Sequence, residues 1–412
     1  MKRIVVFLFL MGSLLMLPVC ASSTDEIINN QIKSSNANSV VDQTPQEPKG
    51  VLEKMGINGI DPTKLSSLKA DDLFKYLWKQ VTDEAAKPIK SLAAIAGILI
   101  LCALLENLKN SFGEKSLAGI FETAAAICIT TAVLIPVLAC ITRVGKTIET
   151  ASTFMLSFIP VYTGLMVASG SPTGAAVYNT LLFSVTEVIS RIASTSLIPL
   201  INIFLALCII GSLSAQLNLS GITSFIKSAV NWICGICLTI FVGLITLEGT
   251  LASATDNVAS KTAKFVVSGF VPVVGSALGD ALNTIVGCAG VIKTATGVYG
   301  ILVLVIIFVP PLVQAIIWLT CIRLASGAAE ILGSTQIKQL MNNISTAIGV
   351  MLALLLTSAA LLIISATVVL TVGGKTYWKQ SEFGQHRFVW RHFLGWLQAS
   401  LHQTEIWKKY SN

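Results

Sequence analysis

Seven runs of apolar residues recur along this chain, and each approaches the length that a helix needs to cross a membrane. A spanning helix takes about 20 mostly apolar residues. Of the 412 residues, 54% are hydrophobic and only 12% are charged, whereas an average soluble domain has about 25% charged residues. We therefore predict an all-α, polytopic helical membrane protein with a transmembrane domain over residues 89–372, made of six to eight membrane elements. The apolar runs are 91–105, 117–141, 152–168, 195–214, 229–248, 299–322 and 345–372.

The first residues have the pattern of a secretory signal. Lys2 and Arg3 precede an apolar stretch, and Val19 and Ala21 have the small side chains that suit a cleavage site. We predict a cleavable signal peptide over residues 1–21, with an uncleaved anchor as the alternative.

Between the signal and the transmembrane domain the chain becomes polar. Residues 22–50 are rich in Ser, Asn, Gln and Asp, and they predict a disordered linker. Residues 51–88 predict a short amphipathic helical ectodomain, in which Asp61 can cap a helix that begins at Pro62. This ectodomain is too small for a soluble catalytic core.

The last segment, residues 373–412, differs from the rest of the chain. It contains all three histidines and four of the seven tryptophans. One interpretation is a basic, aromatic helix that lies on the membrane surface. The other is that this atypical basic aromatic tail is foreign to the architecture, for example through a shifted reading frame.

One apolar segment, residues 265–293, combines helix-breaking residues with a single carboxylate, Asp280. Irregular backbone is tolerated at membrane depth only where protein or a water-filled cavity satisfies it. We predict broken or re-entrant helices inside a membrane assembly, where Asp280 lines a hydrated pathway, meets a neighbouring subunit or caps a half-helix. Lys293 is expected at the membrane interface, with its amine reaching water. The pathway or packing candidates are Gly269, Pro272, Gly275, Gly279, Asp280 and Asn283.

A second segment resembles this one. The surroundings of Pro160 are similar to those of Pro272, and Asn179 follows the first segment as Asn283 follows the second. Paired apolar segments interrupted by proline are typical of transporter repeats, although chance similarity of apolar sequence is the alternative. Pro160 and Asn179 are therefore candidates for a repeat-like partner segment.

A semi-polar stretch, residues 172–194, separates two of the apolar runs. Glu187 and Arg191 are four residues apart in it, so on a helix they share a face and can form an ion pair. The stretch fits an interfacial helix or a helix that lines the bundle.

The sequence argues against an enzyme. Two Gly-Lys-Thr sequences, at 145–147 and 374–376, lack the leading glycine of a phosphate-binding loop. Histidine occurs only in the tail, which excludes zinc-protease and Ser–His chemistry from the spanning region. Cys234 and Cys237 have a metal-site spacing, but in an apolar run thiols behave as small hydrophobic groups. We expect no catalytic residue, no metal site and no cofactor.

The net charge of +7 does not indicate a nucleic-acid partner. A nucleic-acid-binding protein gathers basic residues on one face, whereas here they are spread among loops and the tail. Basic loops that face anionic membrane lipid are the simpler explanation.

The block from Thr246 to Leu304, with residues 157–161 and the last apolar run, resembles the stage III sporulation protein AE family. The tail after about Val372 departs from that family, whose members end soon after their last span.

The resemblance implies a membrane subunit of a sporulation channel complex, of the feeding-tube or secretion type. The implied location is the mother-cell membrane that faces the forespore. The implied partners are the other stage III AA–AH proteins and the forespore stage II protein Q, and the resemblance transfers no catalytic residue. The alternatives are a non-conducting assembly scaffold for that complex and a self-contained secondary transporter.

Overall fold

The computed structural model describes residues 37–66, 70–112, 118–213, 220–270 and 275–371. Over these residues the protein is almost entirely helical and contains no strand, which confirms the predicted all-α class. The predicted signal peptide and the tail lie outside the described residues. The helices are α1 (Ser39–Asp42), α2 (Gln46–Lys54), α3 (Pro62–Ser66), α4 (Ala70–Phe112), α5 (Ala118–Ala168), α6 (Pro172–Arg191), a π-helix (Ile192–Leu197), α7 (Ile198–Leu213), α8 (Ser220–Phe270), α9 (Gly275–Ile331) and α10 (Thr335–Thr371).

Several of these helices are far longer than a bilayer is thick. Helices α5 and α8 each have 51 residues and α9 has 57, so α5 is about 75 Å long against about 30 Å of hydrocarbon. By length and composition, five helical segments of the described chain could cross a membrane. They are Ala124–Ala168, Pro172–Ser212, Gly221–Ile245, Thr284–Ile331 and Thr335–Thr367.

Two of the predicted apolar runs, 117–141 and 152–168, belong to the single helix α5. The charged stretch between them includes Arg143, Lys146 and Glu149, which are good helix formers, and has no proline. The hydropathy pattern therefore gave two separate apolar runs where the structure has one continuous helix.

The turns that follow α5 and α9 are tight. Gly170 and Gly333 adopt φ angles of +85° and +78°, a conformation that glycine reaches without steric cost. At each turn an amide three residues beyond the helix bonds back to a carbonyl of the last turn, from Ser171 to Met166 and from Ser334 to Ala329, as in a Schellman cap. Helices α5 and α6 are thus antiparallel neighbours, as are α9 and α10.

Helix α9 lies at the centre of the bundle, packed against α10, α5 and α4. At Gly300 a Cβ atom would lie 2.6 Å from the ring of Phe158, so glycine is needed for this close approach. Phe158 continues an aromatic row with Phe154 and Tyr162 on α5. The central position of α9 also corrects the expectation for Lys293, which is 1% exposed, so that its amine does not reach water.

The polar N-terminal segment packs on the bundle. Val40 and Leu52 are buried in the core, and the Thr44 hydroxyl lies 3.2 Å from the Tyr299 hydroxyl of α9 in a hydrogen bond. The prediction of a disordered linker over residues 22–50 is therefore wrong for residues 37–50, because the few apolar side chains there find a ready core to join. Residues 22–36 lie outside the described residues.

Asp61 caps α3, as predicted. Its Oδ1 atom accepts hydrogen bonds from the Thr63 amide at 3.0 Å, the Thr63 hydroxyl at 2.6 Å and the Lys64 amide at 3.4 Å. Partial burial raises the pKa of this carboxyl, but the hydrogen bonds from Thr63 and Lys64 outweigh burial and hold the pKa below its usual value.

Candidate functional site

The residues predicted around Asp280 lie at the end of α8, at the start of α9 and in the interval between these helices. Gly269 is in the last turn of α8, and α9 begins at Gly275 and runs without interruption through Asp280. A helix cap precedes the first turn, so Asp280, five residues inside α9, does not cap a half-helix. Pro272 and the side chains of Asp280 and Asn283 lie outside the described part of the structure, and the functional role of this segment stays a prediction.

The two segments of the suspected repeat occupy different positions. Pro160 lies in the interior of α5, and its helix continues for two more turns. Its counterpart Pro272 lies in the interval between α8 and α9. Pro160 and Asn179 are both exposed, on different helices of one hairpin.

A polar face runs along α6 and into the π-helix. From Thr180 onward its side chains recur every three or four residues, which places them on one side of the helix, and Asn179 adjoins the first of them. All are exposed except Glu187, which is half-buried. Glu187 and Arg191 form the predicted ion pair, with 2.6 Å between Oε1 and Nε. The polar face consists of Asn179, Thr180, Ser184, Glu187, Arg191 and Ser194.

A second polar feature joins three helices. The Arg143 guanidinium on α5 donates to Oε1 of Glu84 on α4 at 2.6 Å and to Oε1 of Gln314 on α9 at 3.1 Å. The side chains of Arg143 and Glu84 are 39% and 18% exposed, so the pair sits at the edge of the core. Salt screening reaches such a pair, which limits its contribution to stability.

Further charges flank this junction on the exposed sides of α4 and α5. An added Cβ at Gly145 would lie 2.7 Å from Cδ1 of Ile198, which puts the charged turn of α5 beside the start of α7. The charges therefore gather midway along the bundle. We call the following six residues the charged belt: Glu84, Lys87, Lys90, Arg143, Lys146 and Glu149.

The start of α6 is held by a carboxylate from another helix. Asp256 on α8 is 5% exposed and accepts hydrogen bonds from the amides of Thr173 at 3.0 Å and Gly174 at 2.8 Å. The residue before α6, Ser171, makes no side-chain cap of its own. Asp256 thus satisfies two amides that a helix start leaves unpaired, at the end where a negative charge is favoured. Sequence reasoning missed this residue, and its only signal was a carboxylate within a largely apolar helix.

The sequence pattern of the Stage III sporulation protein AE family matches residues 61–373. The chain belongs to this family. Stage III sporulation protein AE of Bacillus subtilis (strain 168) is 25% identical over 335 residues, which cover 81% of this chain and 82% of that protein. No solved structure matches the chain.

The range that matches Stage III sporulation protein AE begins at Asp61, the cap of α3, and takes in every long helix of the described structure. The charged belt, the polar face and Asp256 all fall within it. Helices α1 and α2 and the tail after residue 373 fall outside. The membership and the five apolar helices agree with the predicted sporulation role in a multi-pass membrane protein.

Proposed function

We propose that this protein is a membrane subunit of a channel complex between mother cell and forespore, of the feeding-tube or secretion type. The proposal places it in the mother-cell membrane that faces the forespore. Its partners in this proposal are the other stage III AA–AH proteins and the forespore stage II protein Q. We also propose that the subunit has no catalytic activity and transports or assembles without chemistry of its own.

The polar face is the observation that carries this proposal. Within a segment that is otherwise apolar, α6 exposes an amide, hydroxyls and an ion pair. Polar groups in membrane proteins almost always face water or other protein. Glu187 and Arg191 pair with each other, and the face as a whole stays exposed on the single chain, so in a complex it is available to partner subunits or to a hydrated passage between chains.

The packed centre of the bundle favours a complex over a self-contained transporter. Trp318, Tyr299 and Phe308 on α9 are almost completely buried, so large side chains fill the middle of the single chain. A passage would then run between chains rather than through one. The same packing suits the second candidate, a non-conducting scaffold that gathers its partners through the polar face.

Reversal of one charge on the polar face tests the proposal. Arg191→Glu places two carboxylates four residues apart and should lower both sporulation and the recovery of partner proteins with the subunit. The double exchange Glu187→Arg with Arg191→Glu restores the ion pair within the helix but inverts its direction. If partners recognise the face, the double variant should stay defective.

Lys79→Glu, at an exposed cation on α4, is the matched control and should behave as the wild type. Membrane insertion is followed by immunoblot of the membrane fraction for every variant. Normal sporulation and normal partner recovery in Arg191→Glu would contradict a role for the polar face. Solute flux through vesicles that contain the purified complex, compared with the subunit alone, separates a channel from a scaffold.

A further inference from the structure

We infer that the bilayer covers only one half of this helix bundle, and that the other half stands outside the membrane. The lipid half begins at the charged belt and ends where α4, α7 and α9 end. The turn between α5 and α6 lies at the other end of the bundle. The solvent half contains α1–α3, the start of α4, the end of α5 and α6. This inference concerns the contact with lipid and does not depend on the proposed function.

The first argument is length. Measured from the belt, α4 runs from Lys90 to Phe112 and α5 from Ala118 to Arg143, which is about 33 Å and about 38 Å. Both match the hydrocarbon thickness of about 30 Å with some tilt. The remaining part of each helix has no bilayer left to cross.

The second argument is the chemistry of the exposed side chains in the lipid half. There α4, α5, α7 and α8 all expose large apolar groups around the bundle. Such a band is too extensive for a water-facing surface and suits lipid. Its members are Ile100, Leu101, Leu104, Ile127, Ile135, Leu138, Ile203, Ile210, Ile222, Phe225 and Trp232.

The solvent half exposes a different surface. The polar face of α6 lies there, and the start of α4 exposes Asp71, Lys75, Lys79 and Asp83. Exposed apolar side chains of this half, such as Val167 and Val188, occur among these polar groups, and α8 carries exposed apolar side chains past the belt with Ile240 and Leu244. Charges at such density are costly against hydrocarbon and ordinary against water.

The third argument concerns α9, whose apolar run 299–322 is predicted as a span. Tyr299 contacts Thr44 of the polar N-terminal segment, and the Ile306 carbonyl accepts a hydrogen bond from Tyr76 at 3.4 Å. Tyr76 bonds to Ile306, and Glu84 and Gln314 both bond to Arg143. Tyr76 and Glu84 are eight residues apart on α4, and Ile306 and Gln314 are eight residues apart on α9. The two helices are therefore parallel and in register here.

This register places the first half of the α9 run beside the charged start of α4. A helix segment that shares its level with charged, exposed neighbours is outside hydrocarbon. Val303 and Leu304 are apolar because they are buried by protein, and a helix that is apolar on all sides is expected in the core of a large bundle.

The far boundary of the lipid half carries charge again. Near the α9–α10 turn, Lys338 and Glu330 form an ion pair with 2.5 Å between Nζ and Oε1. From Gln314 to Glu330, α9 advances about 24 Å. Charged groups thus lie near both ends of the apolar band, as expected at the two interfaces of a bilayer, and Arg323 on α9 is an exposed charge between them.

Spin labels on single cysteines test the boundary. The nine native cysteines are replaced, and the full chain is reconstituted in vesicles of phosphatidylethanolamine and phosphatidylglycerol. Ile135→Cys and Val167→Cys form a matched pair, because both are exposed apolar positions of α5, 70% and 53% exposed. Collision rates with oxygen, which enters hydrocarbon, and with a polar nickel chelate, which does not, are measured for each label.

The ratio of oxygen to nickel collisions should be at least about tenfold higher at position 135 than at position 167, because exclusion of the chelate from hydrocarbon costs more than 1.4 kcal/mol. The ratio, unlike either rate, does not depend on how closely neighbouring protein crowds the label. Equal high ratios at both positions would place the whole of α5 in lipid and overturn the inference. Equal low ratios would overturn it as well.

A second pair of spin labels tests whether the difference extends beyond α5. Asn179→Cys on α6 and Ile210→Cys on α7 sample the solvent and lipid halves of the next two helices. The same difference is expected between them, with the higher ratio at position 210. A high ratio at position 179 would contradict the boundary even if the first pair agreed with it.

Discussion

At the scale of single residues, Asp256 shows how a buried carboxylate is accommodated in a largely apolar helix. Its two oxygens each accept a backbone amide at the start of α6, so the charge is solvated by dipoles of the protein rather than by water. The same contacts fix where α6 starts relative to α8.

Asp256→Ala should destabilise the start of α6 by about 1–3 kcal/mol, because two buried amides lose their acceptor. Hydrogen exchange at the amides of Thr173 and Gly174 should accelerate accordingly in the detergent-solubilised protein. Asp256→Asn keeps one acceptor oxygen and should lose less. Thr180→Ala, on the exposed side of α6, is the control, and equal exchange rates in Asp256→Ala and the wild type would contradict the capping role.

The functional role of Asp280 stays a prediction that mutation can test. If it lines a hydrated path or meets a polar partner, Asp280→Leu should insert normally but fail to support sporulation, because a buried carboxylate costs several kcal/mol unless it is satisfied. Asp280→Asn should retain more function if hydrogen bonding matters and less if charge does. Wild-type sporulation in Asp280→Leu would make the residue structural at most.

At the scale of elements, α9 continues through two consecutive prolines, Pro310 and Pro311. A proline has no amide hydrogen, so Pro310 leaves the carbonyl of Ile306 without its donor within the helix. Tyr76 from α4 donates its hydroxyl to that carbonyl at 3.4 Å. Burial of Tyr76, with the nearby Glu47 carboxylate, raises its pKa to about 12, so the phenol stays protonated and able to donate at neutral pH.

A double-mutant cycle tests this contact. Tyr76→Phe should cost about 0.5–1.5 kcal/mol of unfolding free energy, the net value of a hydrogen bond. In a Pro310→Ala background the helix supplies its own donor, so Tyr76→Phe should then cost less. Thermal or denaturant unfolding of all four proteins gives the coupling. Equal costs in the two backgrounds would show that the hydroxyl does not replace the missing amide.

At the scale of the whole molecule, the family match ends at residue 373, close to the end of α10 at Thr371. The segment beyond it also has a different composition, with all the histidines of the chain. The long helices of the bundle are thus contained within the matched range, and α1 and α2 precede it.

Truncation after Gly373 should therefore leave membrane insertion and sporulation unchanged, within the error of a spore count. Truncation after Ala359 is the control. It removes the end of α10, including Leu362 and Ala366 of the buried core, and should abolish accumulation of the protein. Loss of insertion or sporulation in the Gly373 truncation would instead favour a tail that anchors on the membrane surface.

Local features of this protein could be predicted from its sequence. The all-α class, the Glu187–Arg191 pair and the cap at Asp61 depend on residues within one turn of each other, and the structure agrees with each. Membership of the sporulation family also followed from a contiguous block. Periodicity and capping are short-range effects, so a linear pattern is enough to express them.

Long-range contacts decided the rest. The burial of Lys293, the packing of residues 37–50 and the cap that Asp256 provides to α6 each join segments far apart in the chain. Apolar composition likewise cannot distinguish a helix surrounded by lipid from one surrounded by protein, because both environments exclude water. For α9 that choice depends on the charged segment of α4 beside it, which only the tertiary structure places there.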